Sequence, residues 1–153
     1  MIAKRAYLNQ VDHSFQEDLY AYYERFAGKS MDELVSPLKL VNYHRILRNF
    51  ESYMNFSSIL DVGCGKGEFV WAALRQGLKI EGLELSAQAV QVARANGLPV
   101  KEQDLFSSEF DARRWDVITM FEVLEHVEQL IAIIKRATDL LEPGGILYLT
   151  TPN

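Results

Sequence analysis

Cysteine is almost missing from this chain. Cys64 is the only one among 153 residues, so no disulfide can form within it. Positive charge is also in deficit. Sixteen Lys and Arg against 21 Asp and Glu leave a net charge of −5, and a large nucleic-acid footprint wants a basic face. No apolar run approaches the roughly 20 residues a membrane span needs. Repeats and low-complexity segments are absent. The first residues, Met1-Ile2-Ala3-Lys4-Arg5, carry charge with no apolar stretch behind them. They do not read as a secretory signal, and the cytoplasm is the expected compartment. What remains is an ordinary soluble composition in one domain-sized chain.

The informative stretch is Ile59-Leu60-Asp61-Val62-Gly63-Cys64-Gly65-Lys66-Gly67-Glu68-Phe69. An apolar run, Ser58 to Val62, reads as a buried strand. It breaks into Gly63, Gly65 and Gly67, and a helical pattern follows. That order brings bare backbone close to a ligand at a helix N-terminus. A second strand-like run, Leu78 to Leu83, ends in Glu84. An acid about 20 residues past the glycine turn can accept hydrogen bonds from ribose hydroxyls. The dinucleotide fingerprint is G-x-G-x-x-G, and here Glu68 stands where its third glycine would fall. That speaks against a nicotinamide-dependent oxidoreductase. Asp61 would face a pyrophosphate unfavourably and suits a cationic ligand. S-adenosylmethionine has a sulfonium, an ammonium and no phosphate. Cys64 is read as a small loop residue rather than a redox group.

On these residues the chain resembles a class I S-adenosylmethionine-dependent methyltransferase. Asp61 to Gly67 matches that family's first motif, and Glu81-Gly82-Leu83-Glu84-Leu85-Ser86 its second. Val100-Lys101-Glu102-Gln103-Asp104-Leu105 is similar to the third. Trp115 to Glu122 and Leu141 to Leu147 are similar to the fourth strand and the turn into the fifth. The resemblance implies cofactor contacts at Asp61, Gly63, Cys64, Gly65 and Gly67 along the loop. It implies Glu84 and Leu85 at the ribose end, Asp104 and Leu105 at the adenine, and Phe121 at the methionine end. It implies methyl transfer to an oxygen or nitrogen of a small molecule. Its nearest motif likeness is to ubiquinone-pathway O-methyltransferases.

The rest of the pattern fits an α/β fold. Phe15, Leu19, Tyr22, Tyr23 and Phe26 recur at helical spacing, ended by Gly28-Lys29. A second helix is expected from about Pro37 to Tyr53, with Leu40, Val41, Ile46, Leu47 and Phe50 as its apolar side. Strands are expected at 57–62, 79–84, 98–102, 115–121 and 145–150, and helices at 67–76, 86–96 and 127–141. The last of these should bury Leu130, Ile134, Ala137 and Leu141. Such alternation implies a doubly wound, Rossmann-like parallel sheet in spatial order 3-2-1-4-5. Residues 1–56 would be a helical extension or lid, and 57–153 the core. The family fold usually adds two more strands, so a piece of a longer protein is expected, with the open edge of the fifth strand covered by another chain or segment.

Glu122-Val123-Leu124-Glu125-His126 follows the fourth strand. On a helical turn, positions 122, 125 and 126 would share one face. Glu122, Glu125 and His126 would then hold a hard cation such as Mg2+. Alternatively His126, with Glu122, would act at the acceptor as a base, or Glu125 and His126 would only cap and pack the turn. Ubiquinone-pathway and small-RNA 2′-O-methyltransferases carry a similar string, where the resemblance implies magnesium. The acidic balance disfavours the RNA version, and no nucleic-acid partner is expected. A non-catalytic cofactor-binding module stays open as a further alternative. Arg45 is a candidate for a cofactor carboxylate, and His13 for a lid contact.

Overall fold

The computed structural model describes residues 13–152. The segment Met1–Arg5 and the side chains of His13, Phe15 and Leu19 lie outside what is described. Three helices precede the first strand: α1 (His13–Glu24), α2 (Met31–Leu34) and α3 (Pro37–Tyr53). α2 was not expected. It is a single turn in which Glu33 reaches back to accept from the Ser30 N–H at 2.8 Å, satisfying an otherwise orphaned donor. Ser36 caps α3 by accepting from Lys39 N at 3.3 Å, with Pro37 in the first turn. α3 buries Leu47 and Phe50 and packs Leu40 and Ile46 beside them. Val41, expected on that side, is 60% exposed. It lies on the far side of the helix from Phe50.

Strands and helices then alternate: β1 (Ser58–Val62), α4 (Glu68–Leu74), β2 (Lys79–Glu84), α5 (Ala87–Ala95), β3 (Val100–Glu102), β4 (Trp115–Phe121), α6 (Leu130–Asp139) and β5 (Leu141–Thr150). The five strands form one sheet in the order β3-β2-β1-β4-β5, and every neighbouring pair is parallel. This is the expected Rossmann-like order. Successive residues point to opposite faces, so Ile59 and Val117 enter the core under α3, α4 and α5, while Leu60 and Ile118 enter the one under α6. Parallel crossovers bring every strand's carboxyl end to one rim of the sheet.

Two element starts and one buried stripe differ from expectation. β5 starts at Leu141, opposite Trp115, and bulges before Ile146 pairs with Val117. Pro143-Gly144-Gly145 therefore lies inside a strand irregularity, not at a helix stop, with Gly144 at φ 82. α6 starts only at Leu130, because Val127 is extended. Its buried residues are Ile133 and Ala137, followed by Leu140, whereas Leu130 is 40% exposed. The expected stripe is thus rotated by about one residue. At the opposite rim, Asp116 Oδ2 accepts from the backbone N–H groups of Ser57 (2.7 Å) and Ser58 (3.0 Å) and from both hydroxyls. This ties the entry of β1 to β4.

Candidate functional site

The three loop glycines are required for three different reasons. Gly63 (φ 72) donates to Leu83 O at 2.8 Å, and a Cβ there would stand 2.5 Å from Val123 Cγ2. Gly65 (φ 54) faces open space. Its nearest neighbour to a Cβ is the Tyr23 hydroxyl at 3.7 Å, so bare backbone borders the cleft at this point. Gly67 (φ 84) faces the core, where a Cβ would stand 2.6 Å from Leu98 Cδ1. At the start of α4 it makes room for Leu98, and it is not part of the cleft's wall. Gly82 plays a part that the sequence reading missed: it leaves room for Cys64, whose Sγ would lie 2.5 Å from a Cβ. Burial pushes the Cys64 thiol far up, with the charges of Asp61 and Glu84 adding to it. Its surroundings thus favour the protonated thiol.

The acids sit as the strand order dictates. Asp61 pairs across to Gly82 and Thr119 and is 2% exposed. Its Oδ1 accepts from Thr119 Oγ1 at 2.7 Å. Burial pushes its carboxyl up from 3.8 to about 7; the Thr119 bond opposes this and the Glu84 charge adds to it. Glu84 closes the loop from β2, accepting from the N–H groups of Gly65 (2.9 Å), Leu85 (2.7 Å) and Ser86 (2.8 Å). Asp104 Oδ1 accepts from Phe106 N at 2.8 Å. Leu85 is 37% exposed, whereas Leu105 is 3% exposed. The Leu105 side chain belongs to the core under α6, so any contact from this position is through its backbone.

A cleft of about 400 Å³ opens at the carboxyl ends of β1 and β4. Asp61, Gly63, Cys64, Gly65, Phe121 and Glu122 border it, while Glu84, Leu85, Asp104 and Leu105 lie outside its wall. Tyr22 and Tyr23 of α1, together with Lys39 and Tyr43 of α3, enclose the other side. Phe121 stacks in an aromatic group, its ring centroid 4.8 Å from that of Phe69 and 5.6 Å from that of Tyr148. A second hollow of about 480 Å³ lies between the end of α1 and α5. It shares Tyr23 but contains none of the expected site residues.

The cleft has a charged wall that the sequence did not reveal. Glu68 accepts from Lys39 Nζ at 2.7 Å, meets Lys66 Nζ at 2.8 Å and accepts from the Tyr43 hydroxyl at 3.3 Å. Burial alone would raise its carboxyl. The bonds from Lys39 and Lys66 outweigh that and hold it below the usual range. Lys66 also lies 4.5 Å from the centroid of the Phe26 ring. Arg45, the expected cation, is exposed and does not border the cleft. Two of the partners of Glu68, Lys39 and Tyr43, come from α3, which local sequence cannot show, whereas Lys66 lies two residues upstream in the glycine turn. The available signal was an acid opening a helix directly after the glycine turn.

Glu122, Glu125 and His126 do not converge. Glu122 leaves β4 at φ 53, the only non-glycine residue with positive φ among those described. Its N–H is held by Thr150 O at 3.1 Å. Leu124–His126 then form a 3-10 turn, so the shared face of an α-helical turn is lost. Among the described residues no three His, Cys, Asp or Glu side chains group to hold a metal ion. The expected magnesium set at 122, 125 and 126 is therefore corrected: the donors do not fit one cation. Glu122 borders the cleft, and Glu125 and His126 are exposed. Among the described residues no helix is long and apolar enough to cross a membrane.

A family model described as a methyltransferase domain matches residues 19–153. The ubiquinone biosynthesis O-methyltransferase of Serratia proteamaculans is 32% identical over 126 residues, spanning 78% of this chain and 51% of that protein. The protein of the same name from Coxiella burnetii is 33% identical over 127 residues, spanning 78% and 54%. The chain thus spans about half the length of the curated relatives it matches. Among solved structures, Streptomyces venezuelae DesVI superposes with a TM-score of 0.64 at 24% identity, over 94% of this chain and 58% of that one. S-adenosylmethionine-bound CalS10 of Micromonospora echinaspora, an amino pentose methyltransferase, superposes with a TM-score of 0.68 at 22% identity, over 88% and 56%. At such identities these two structures speak for the fold alone. The family match over most of the chain, on that same fold, makes it a member of the class I S-adenosylmethionine-dependent methyltransferase family.

Proposed function

We propose that the cleft binds S-adenosylmethionine and that the protein transfers its methyl group to an oxygen or nitrogen of a small-molecule acceptor. Asp61 carries this reading. It is a carboxylate at the floor of the cleft, beside two left-handed glycines, where it repels a phosphate and holds a cation. The other charges fit the same ligand. A methionine end carries an ammonium and a carboxylate; Asp61 meets the first, and Lys39 and Lys66, spaced by Glu68, meet the second. Gly63, Cys64 and Gly65 offer backbone beside them. Glu84 accepts from the ribose hydroxyls, and the second oxygen of Asp104 accepts from the adenine amino group. Leu85 flanks the nucleoside, and the Phe121 carbonyl faces the methionine end.

When bound, the cofactor supplies a methyl group made electrophilic by positively charged sulfur. The protein's task is to position the acceptor and remove its proton. Glu122 borders the cleft, and His126 follows one turn later. In this reading His126 takes the acceptor proton and Glu122 orients the approach. In this reading α1, α2 and α3 form a lid on the 57–153 core, with Tyr22 and Tyr23 closing the cleft, and the protein works in the cytoplasm. Calorimetric titration with S-adenosylhomocysteine, followed by a labelled-methyl assay on small hydroxylated acceptors, tests both parts. Binding and transfer are expected, and His126→Ala should lower turnover without changing cofactor affinity. A His126→Ala variant that keeps full turnover and only melts earlier assigns His126 a structural role. One observation favours a second reading, a cofactor-binding module without an acceptor site: Glu125 and His126 are exposed and do not converge with Glu122. Binding without transfer in the full-length protein would select it.

A further inference from the structure

Resting on that cofactor reading, we propose that Arg136 of α6 is a positioning residue for recognition of the adenine ring. It is placed behind the loop that carries Asp104 and Leu105. Its Nε donates to Leu105 O at 3.1 Å, and its Nη2 donates to Ser107 O at 3.1 Å and to Asp111 Oδ1 at 2.8 Å. The Arg136 side chain is 18% exposed, so these bonds form largely away from water. Two of the three end on main-chain carbonyls of one loop. A planar, permanently charged fork suits such a task, because it fixes two acceptors at once.

Those carbonyls bracket Phe106, whose N–H donates to Asp104 Oδ1 at 2.8 Å. Ser107 N donates to Asp104 O at 3.1 Å. The Leu105 side chain anchors the same loop in the core. Asp104 Oδ2 takes no hydrogen bond among the described residues, which leaves it free for an amino donor. Arg136 thus fixes the direction in which a second residue, Asp104, presents its carboxylate. Its neighbour Ala137 and the residues Ile133 and Leu140 are buried, so α6 keeps its place when the guanidinium is removed.

An amino group at the ring edge donates to Asp104, whereas a ring carbonyl in its place is repelled. The test compares dissociation constants of S-adenosylhomocysteine and S-inosylhomocysteine, which differ at that position, together with thermal midpoints. Wild-type protein should prefer the adenine form at least tenfold. Arg136→Ala should reduce that preference severalfold, with most of the loss on the adenine form. Arg136→Lys, which can reach one carbonyl at a time, should fall between. Asp139→Ala, which removes only an exposed pair with Lys135, should leave the preference unchanged. If Arg136→Ala does not fold, Arg136→Lys and Asp111→Asn carry the same comparison. An unchanged preference in these variants, whatever their melting points, overturns the assignment. Wild-type protein that binds neither compound overturns the cofactor reading, and this proposal with it.

Discussion

Replacing Asp61 by Asn should make the empty protein more stable at pH 8 and a poorer binder of cations. The carboxyl is 2% exposed and has one donor, Thr119. Its surroundings are otherwise unhelpful to charge: Glu84 from β2 repels it, and the Tyr43 hydroxyl from α3 and the Cys64 thiol both stay protonated beside it. Burial first, then Glu84, raises it to about 7, against 3.8 for a free side chain. Between those values the native state holds a proton that the unfolded chain has released. Native stability is therefore greatest below pH 4 for this group, falls as pH rises, and reaches its full loss above 7. The interval corresponds to on the order of 4 kcal/mol. Asn keeps an oxygen for Thr119 and carries no charge. The difference in thermal midpoint between Asp61→Asn and wild type should widen from pH 5 to pH 8. It should approach 10 °C, at about 2–4 °C per kcal/mol for a chain of this size. Over the same range, wild-type affinity for S-adenosylhomocysteine should rise with pH until about 7, as the ligand's ammonium meets an ionised partner. Affinity for uncharged methylthioadenosine should stay flat. A variant less stable than wild type at pH 8, or a difference independent of pH, would refute the reasoning.

Three further outcomes are expected. Glu84→Gln removes the charge from a carboxylate that takes three backbone amides; titration should show cofactor affinity reduced by roughly 1.5–3 kcal/mol, and unchanged affinity would separate Glu84 from the ribose. Gly63→Ala and Gly65→Ala both place a side chain at positive φ, which costs about 1–2 kcal/mol. Gly63→Ala also meets Val123, so it should melt earlier of the two, whereas Gly65→Ala should lose more affinity than stability. Asp116→Ala releases the β1 entry and should lower stability by about 1 kcal/mol while leaving cofactor affinity intact. The bond from the Ser57 N–H, then those from the Ser57 and Ser58 hydroxyls, holds the Asp116 carboxyl low, so its contribution should be lost as pH falls below 4.

Where segments are buried on both sides, the sequence was explicit. β1 and β4 are near-continuous apolar runs, as parallel strands between two helical layers must be, and their ends, like those of the more polar β2, were placed within a residue. The glycine turn and Glu84 were legible because backbone conformation and a strand-end acid leave local marks. Legibility failed where a distant partner decides the structure. Val41 and Leu130 have the right chemistry for a buried stripe, but α3 and α6 are rotated by what they pack against. Glu122, Glu125 and His126 have α-helical spacing, yet the positive φ at Glu122 and the following 3-10 turn spend those positions on leaving β4. Lys39 of α3 joins Glu68 at the start of α4 and Lys66 of the turn before it in one charged wall, and Arg136 meets the 105–107 carbonyls across the fold. No local spacing encodes either arrangement.

The central claim is that one cleft, floored by Asp61 and edged by Gly65, holds the cofactor. Calorimetric titration of S-adenosylhomocysteine into wild type, Asp61→Asn and Gly65→Val tests it most directly. Wild type should bind one-to-one with micromolar affinity, Asp61→Asn at least tenfold more weakly at pH 8, and a folded Gly65→Val not at all. Equal affinity in all three proteins, or no binding to wild type, would contradict it.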